Sequence, residues 1–540
     1  MTKKRNFNMK KVIMLGVVMM LCLTAIQFGT ASEEINENDL TIKKLNSVRQ
    51  HREVSLKSEK LTKEKHIQND YNSIAINGNM PIMITESDCQ NPVIATDGNN
   101  ILVMAEEYQG SMSSDLIMTY SSDAGNTWSD LSGFITEDIF EEKASIDYCH
   151  NGEFQAYGTY LPDPMVGTLS LIHFPSMIDP EMAYKDSEGW TMWSLDLSTF
   201  NDFYSIDVAG YPHGSIAPAP DFHGVVTVIG NNEDGETIEN FYETEGNGIG
   251  ACFLSFVGDL GDKISIDIDI STATYYEAME LSNEPDMIED GVFLESCWVE
   301  PGNENWWEND WPVFIFEGAH NPDIVAGGGS CYCVCEVGND IVCYYSNDNG
   351  ANFQSKTIAS NGKYPAVSII DNTVICSFTR DNNIFTVVSK DNGNTWEETK
   401  INDVSGSAIE QMQCTDVSGS NVVWTDDRNG NYGVYISSAA EVEFPIVEIQ
   451  SISGGFGLSA NIINSGTADA NDIDWSIAFD GGVFIGGETS GTIQTLAAGE
   501  STTVKTGLVF GVGKTDITIS VGSASEQRSG NVFLFFVLGI

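Results

Sequence analysis

The sequence predicts an all-β protein: a β-propeller of about six blades over residues 80–440, then a β-sandwich over residues 441–540. Three observations carry this. A turn of the form Ser-x-Asp-x-Gly-x-Thr-Trp occurs at residues 121–128 and 389–396, with a third copy at 346–353 in which Asn and Phe replace the last two residues. Pro322 and Pro365 are 43 residues apart, as are Ser346 and Ser389, and Cys333 and Cys376. A period of about 40–50 residues made of short strands is what a propeller blade leaves in a sequence. After Ala440 the turn and the cysteines disappear, and alternating apolar strands with Gly, Ser and Asn turns fill a length suited to one sandwich.

Taken from the N-terminus, residues 1–31 read as a signal peptide: basic residues precede an apolar run at 12–28, and small residues stand at a plausible cut before Ser32. The run is at the short edge for spanning a bilayer, so no membrane span is expected unless the signal is retained. The expected location is secreted or cell surface. Residues 32–79 read as a charged, solvated leader, because KKLNSVRQHREVSLKSEKLTKEK offers few apolar residues with which to dock; the alternative is an arm lying on the acidic propeller surface. The whole chain carries a net charge of −53. That charge excludes nucleic acid as a partner.

Within 80–440, NPVIATDGNNILVMAEE (91–107), NPDIVAGGGSCYCVCEV (321–337) and YPAVSIIDNTVICSFTR (364–380) share a proline, an apolar pair, a turn and an alternating strand, and each leads into one copy of the repeated turn. Units beginning near 144, 214 and 420 keep the strand rhythm without that turn. These make six blades, with five or seven also compatible, and residues 270–316 read either as an insertion or as a degenerate blade. MPIMIT (80–85) is a candidate outer strand for the last blade, closing the ring. Cys331, Cys333 and Cys335 share one strand face and are expected to act as small buried hydrophobes, while an exported chain also permits disulfides.

In the repeated turn, Asp accepts backbone hydrogen bonds, Gly takes a positive φ and the aromatic residue packs beneath. The residues concerned are Ser121, Asp123, Gly125 and Trp128; Ser346, Asp348, Gly350 and Phe353; and Ser389, Asp391, Gly393 and Trp396. At these residues the chain resembles the Asp-box (BNR) repeats of sialidase-like β-propellers. The resemblance implies turns joining the outer two strands of a blade, in a family that contains sialidases, other glycosidases, receptors and noncatalytic binders.

The same resemblance implies that a sialidase needs three arginines around a carboxylate. Residues 80–440 hold two, Arg380 and Arg428, and lysine does not reproduce the bidentate fork. Arg428, in WTDDRNGNYGVY, is expected to pair with Asp426 or Asp427. The ligand-binding candidates are Trp306, Trp307, Trp311, Glu304 and Glu308, in CWVEPGNENWWENDWPVF, where indoles could stack on sugar rings and carboxylates bind hydroxyls; the plainer alternative is that the tryptophans pin an acidic insertion to the propeller. No catalytic residue is nominated, because 57 acidic residues between 90 and 440 supply too many pairs. No metal set is nominated either: the Asp-rich stretches lack calcium-loop spacing, and calcium stays open as a cofactor.

The residues NIINSGTADANDIDWSIAFDGG and LAAGESTTV resemble immunoglobulin-like adhesion modules of the CARDB kind, and NVFLFFVLGI reads as the last core strand. The expected function is noncatalytic binding or adhesion, with glycans or cell-surface proteins as partners. The alternative is an extracellular glycoside hydrolase using paired carboxylates without an arginine triad.

Overall fold

The computed structural model describes residues 80–85, 87–108, 114–129, 143–148, 204–211, 224–230, 263–280, 291–300, 311–370, 372–439 and 447–540 apart from 467, 468, 472, 523 and 525, together with Leu131, Trp306 and Asn309. Elsewhere between 33 and 281 it describes strands as backbone only. The signal region and Trp307, Glu304 and Glu308 lie outside the described residues.

The strands group into antiparallel sheets of four, taken in chain order, and the first strand of each sheet packs against the first strand of the next. These inner strands are Asp88–Thr96, Phe140–Tyr148, Asp202–Gly210, Leu260–Asp269, Ala319–Gly327, Lys363–Ile370 and Thr415–Ser418. The last packs on the first, so the sheets form a closed ring of blades 1 to 7. The sequence predicted about six. The additional blade is blade 4, at residues 260–317, whose strands Thr274–Leu281, Gly291–Trp298 and Trp311–Glu317 pair in order. It carries no copy of the repeated turn, which is why its sequence read equally well as an insertion.

Blade 7 is completed from the other end of the domain. Met80–Met83 pairs antiparallel with Gly433–Ser438, and Met83 is fully buried. This is the closing strand expected from MPIMIT.

Residues 33–66 differ from the solvated leader expected of them. Leu40–Ser47 pairs with the outermost strand of blade 4, Arg52–Glu53 with that of blade 3, Ser58–Leu61 with that of blade 2 and Lys65–His66 with that of blade 1. Backbone pairing at an open sheet edge needs no apolar side chains, which a composition argument overlooks.

Apolar clusters fill the spaces between blades. Between blades 4 and 5, Phe316 stacks on Tyr344 at 3.9 Å between ring centroids, and Phe353 meets Phe314 at 4.7 Å. The eight described cysteines are all buried, including Cys331, Cys333 and Cys335. Burial pushes the Cys89 and Cys414 thiols up to about 12.

Residues 447–540 form a separate all-antiparallel unit with its own core, including Ile462, Ile477, Ile517, Ile519 and Val532. Pairing runs continuously through seven strands. The long strand Val447–Asn464 joins Phe536–Leu538 on one side and Ser501–Lys505 on the other. In NVFLFFVLGI only Val532 and Val537 are buried; Phe533, Leu534, Phe536 and Leu538 are exposed.

Candidate functional site

The inner strands surround a cavity of 1050 Å³ on the propeller axis, lined by Asp147, Asp207, Asp267, Asp269, Asp323 and Asp416 with Lys263 among them. The local sequence explains the spacing. Ser-Ile-Asp occurs at 145–147, 205–207 and 265–267, intervals of 60 residues, so blades 2, 3 and 4 present the same residues at the same height.

Each of these aspartates bridges two blades. Asp147 accepts from Tyr148 N on its own strand at 2.8 Å and from Gly210 N of blade 3 at 2.6 Å. Asp207 accepts from Ile266 N of blade 4 at 2.8 Å, Asp267 from Ala326 N of blade 5 at 2.6 Å, and Asp323 from Val367 N of blade 6 at 2.7 Å. Asp416 of blade 7 accepts from Ile94 N of blade 1 at 2.9 Å, across the closure. Ser145 and Ser265 donate to Asp207 and Asp323 at 2.7 and 3.1 Å. Lys263 Nζ is 3.5 Å from Asp323.

A second tier lies where the inner strands begin. In blades 1, 2, 5 and 6 this strand opens on a register shift, and Asn91, Lys143, Asn321 and Tyr364 there take φ of 50 to 56°. Their amides, turned out of the sheet ladder, find acceptors on the preceding blade. Lys143 N donates to Glu106 at 2.8 Å, Asn321 N to Glu280 at 3.1 Å, Tyr364 N to Glu336 at 2.7 Å and Asn91 N to Thr425 at 3.2 Å.

Burial disfavours the charged form of Asp147, Asp207, Asp267 and Asp416 and outweighs their amide bonds. It pushes Asp147 up to about 7, Asp207 to about 6 and Asp416 to about 7. Asp267 is raised well above the usual carboxylate range, by burial and then by Asp147.

The repeated turns join the third and fourth strands of blades 1, 5 and 6. In the first, Ser121 Oγ donates to Asp123 at 2.8 Å and accepts from Gly125 N at 2.8 Å. Asp123 also accepts Thr127 N and Thr127 Oγ1, each at 2.7 Å, and Trp128 Nε1 donates to Gly125 O at 3.1 Å. Ser389, Asp391, Gly393 and Trp396 repeat these contacts. Ser346, Asp348 and Gly350 do so with Asn352 in place of Thr. Phe353 is buried, while Trp128 and Trp396 are half-buried against the blade cores.

The tryptophan platform needs correction. Trp306 and Trp311 are fully buried, 6.0 Å apart between ring centroids, and both pack edge-on against Tyr275. A ring without an exposed face offers a sugar no surface. Of the described tryptophans in that stretch, Trp298 is the exposed one, at 52%.

Both propeller arginines are committed to protein partners away from the channel. Arg428 makes a fork onto buried Asp426 at 2.8 and 2.7 Å, contacts Asp403 at 2.6 Å and lies 4.0 Å over the Tyr435 ring. Arg380 pairs with Glu398, donates to Ser360 O at 3.0 Å and lies 3.9 Å over the Phe385 ring. Neither lines the channel. Among the described residues no group of three or more His, Cys, Asp or Glu is placed to hold a metal ion.

What sequence reasoning missed is the channel itself. Its signal was the Ser-Ile-Asp triplet at equal spacing, in three of the four blades that lack the Asp turn.

No family model and no curated protein matches the chain. Solved structures similar to it include the Trypanosoma rangeli sialidase in complex with sialic acid, at 10% identity over 89% of this chain and 92% of that one, with a TM-score of 0.35. Another is the β-propeller domain of the Trilobed protease from Pyrococcus furiosus, at 9% identity over 66% and 96%, with a TM-score of 0.40. A third is the fucose-specific lectin from Aleuria aurantia, at 11% identity over 61% and 100%, with a TM-score of 0.34. Likeness this distant assigns neither ligand nor reaction to the chain.

Proposed function

We propose that the chain is a secreted or cell-surface binding protein without catalytic activity, whose acidic propeller presents a site for hydroxyl-rich glycans. Its C-terminal unit, on this reading, is an immunoglobulin-like adhesion or spacer module. The observation that supports it best is the state of the channel carboxylates. An aspartate whose oxygens are held by amides of two blades cannot swing toward a substrate without breaking a blade contact. Each oxygen nevertheless has two lone pairs, so the array keeps acceptor capacity for sugar hydroxyls. A wall of aspartates also disfavours anionic sugars such as sialic acid.

The hydrolase reading draws on one observation: Asp147 and Asp416 are pushed up to about 7, the range of a general acid. The hydrogen bonds that fix both side chains weigh against it. A glycan array combined with a panel of fluorogenic glycosides, run on the chain from Ser32 onward, tests the choice. Binding to neutral glycans without turnover is expected; turnover lost in Asp147→Asn would replace binding by hydrolysis.

A further inference from the structure

The C-terminal unit carries a surface that the binding reading does not use. Phe484, Phe510, Phe535, Phe456 and Phe536 form a chain of rings, each 5.4 to 6.4 Å from the next between centroids. Phe456 and Phe484 are each 72% exposed, Phe533 is 58% and Phe536 is 47%. The topology gathers them at one end of the sheet: the start of Phe510–Val521 pairs with the end of Ala524–Leu534 and with Val483–Ile485, and residues 455–457 pair with Phe536 and Val537.

The charge pattern sets this end apart. Residues 453–460, 481–487, 506–513 and 529–540 include no Asp, Glu, Lys or Arg, in a chain with 78 acidic residues. Along residues 531–538 the buried positions are Val532 and Val537, and the outward positions hold Phe and Leu where a solvated sheet would place polar residues. An uncharged aromatic patch of this kind marks a surface that is covered in the working protein.

We propose that this end of the C-terminal unit docks into the interface of a lipid bilayer with uncharged or zwitterionic headgroups. Two features favour lipid over a second copy of the chain. Rings that are 72% exposed leave most of their surface free to enter a deformable hydrocarbon layer without any rearrangement of the unit. Each chain also carries a net charge of −53, which opposes self-association, whereas a headgroup layer without net charge exerts no such repulsion. Phe456 and Phe484 penetrate first, followed by Phe533 and Phe536.

The test is flotation of the chain from Ser32 onward with phosphatidylcholine vesicles, comparing wild type with Phe456→Ser/Phe484→Ser, in low salt and in 0.5 M NaCl. Both side chains are mostly solvent-exposed, so matching melting curves should confirm that the variant folds. Wild type is expected to float with the vesicles in both salts, and the double variant at least tenfold less. Wild type that stays unbound, or a variant that floats equally well, would overturn the proposal. Vesicle-free sedimentation showing a wild-type dimer that the variant abolishes would also overturn it, in favour of self-association.

Discussion

Asp391 accepts the Thr395 amide and hydroxyl and the Ser389 hydroxyl, and the amide bond is the main reason its carboxyl is held below the usual range. Asp123 and Asp348 are shifted the same way: burial opposes ionisation, but their summed hydrogen bonds outweigh it. Asp147, Asp207, Asp267 and Asp416 in the channel shift upward instead. A carboxyl raised in the folded state contributes stability that is fully present below the unfolded value of about 4 and is lost as pH rises through about 6 to 7. The turn aspartates contribute above about pH 4 and lose that contribution as pH falls through their lowered values. Melting temperature is therefore expected to peak at about pH 4 and to fall from there through about pH 7. The decline from about pH 4 to 7 should be smaller in Asp147→Asn; equal slopes in variant and wild type would disprove the assignment. Asp391→Ala is expected to lower melting without touching the channel. Phe353→Ala, which empties a buried site, should cost about 3–5 kcal/mol, and Trp396→Ala less because that ring is half-buried. Denaturant titrations of the two aromatic variants would check that order.

The turn as an element explains why its glycines recur. Gly350 and Gly393 take φ of +74 and +82°, and a Cβ on them would lie 2.8 Å from Tyr276 and 3.3 Å from Tyr332, each a tyrosine of the preceding blade. The turn thus anchors a blade to its neighbour as well as capping its own outer strands. Ring closure depends on Met80–Met83, and Met83→Ala is expected to cost about 2–5 kcal/mol, read as a lower denaturation midpoint. Arg428→Ala leaves Asp426 buried without its fork and should cost about 3–5 kcal/mol; Arg428→Lys should recover little, since lysine cannot make both bonds. Full recovery by lysine would show that charge alone matters there. Blades 1, 5 and 6 were legible because the Asp turn is local, the hydrogen bonds among its own residues lying within eight residues of sequence. The closing strand was legible because a propeller must hide its edges. Blade 4 was not, because it lacks the Asp turn; the leader strands and the aspartate bridges were not, because they rest on pairings between distant segments, which leave only a weak periodic trace such as Ser-Ile-Asp at 145, 205 and 265. The platform of Trp306 and Trp311 failed for a related reason: aromatic and acidic residues interleaved in sequence do not reveal which face is buried.

Across the whole molecule, acidity and architecture are one arrangement. Carboxylates at the channel and at the inner-strand entrances accept amides of the next blade at 2→3, 3→4, 4→5, 5→6 and 7→1, and Glu106 bridges 1→2. Part of the negative charge is thus built into ring closure, leaving a fixed array of acceptors around the cavity. The central claim is that this array binds hydroxyl-rich ligands and does not cleave them. The most direct measurement is titration calorimetry of an array-selected neutral oligosaccharide against wild type and Asp207→Asn, with the recovered sugar examined by NMR after prolonged incubation. The account predicts measurable wild-type affinity, at least tenfold weaker binding by the variant, and sugar recovered intact. Sugar recovered as cleaved products, or affinity unchanged by Asp207→Asn in a variant that melts like wild type, would contradict it.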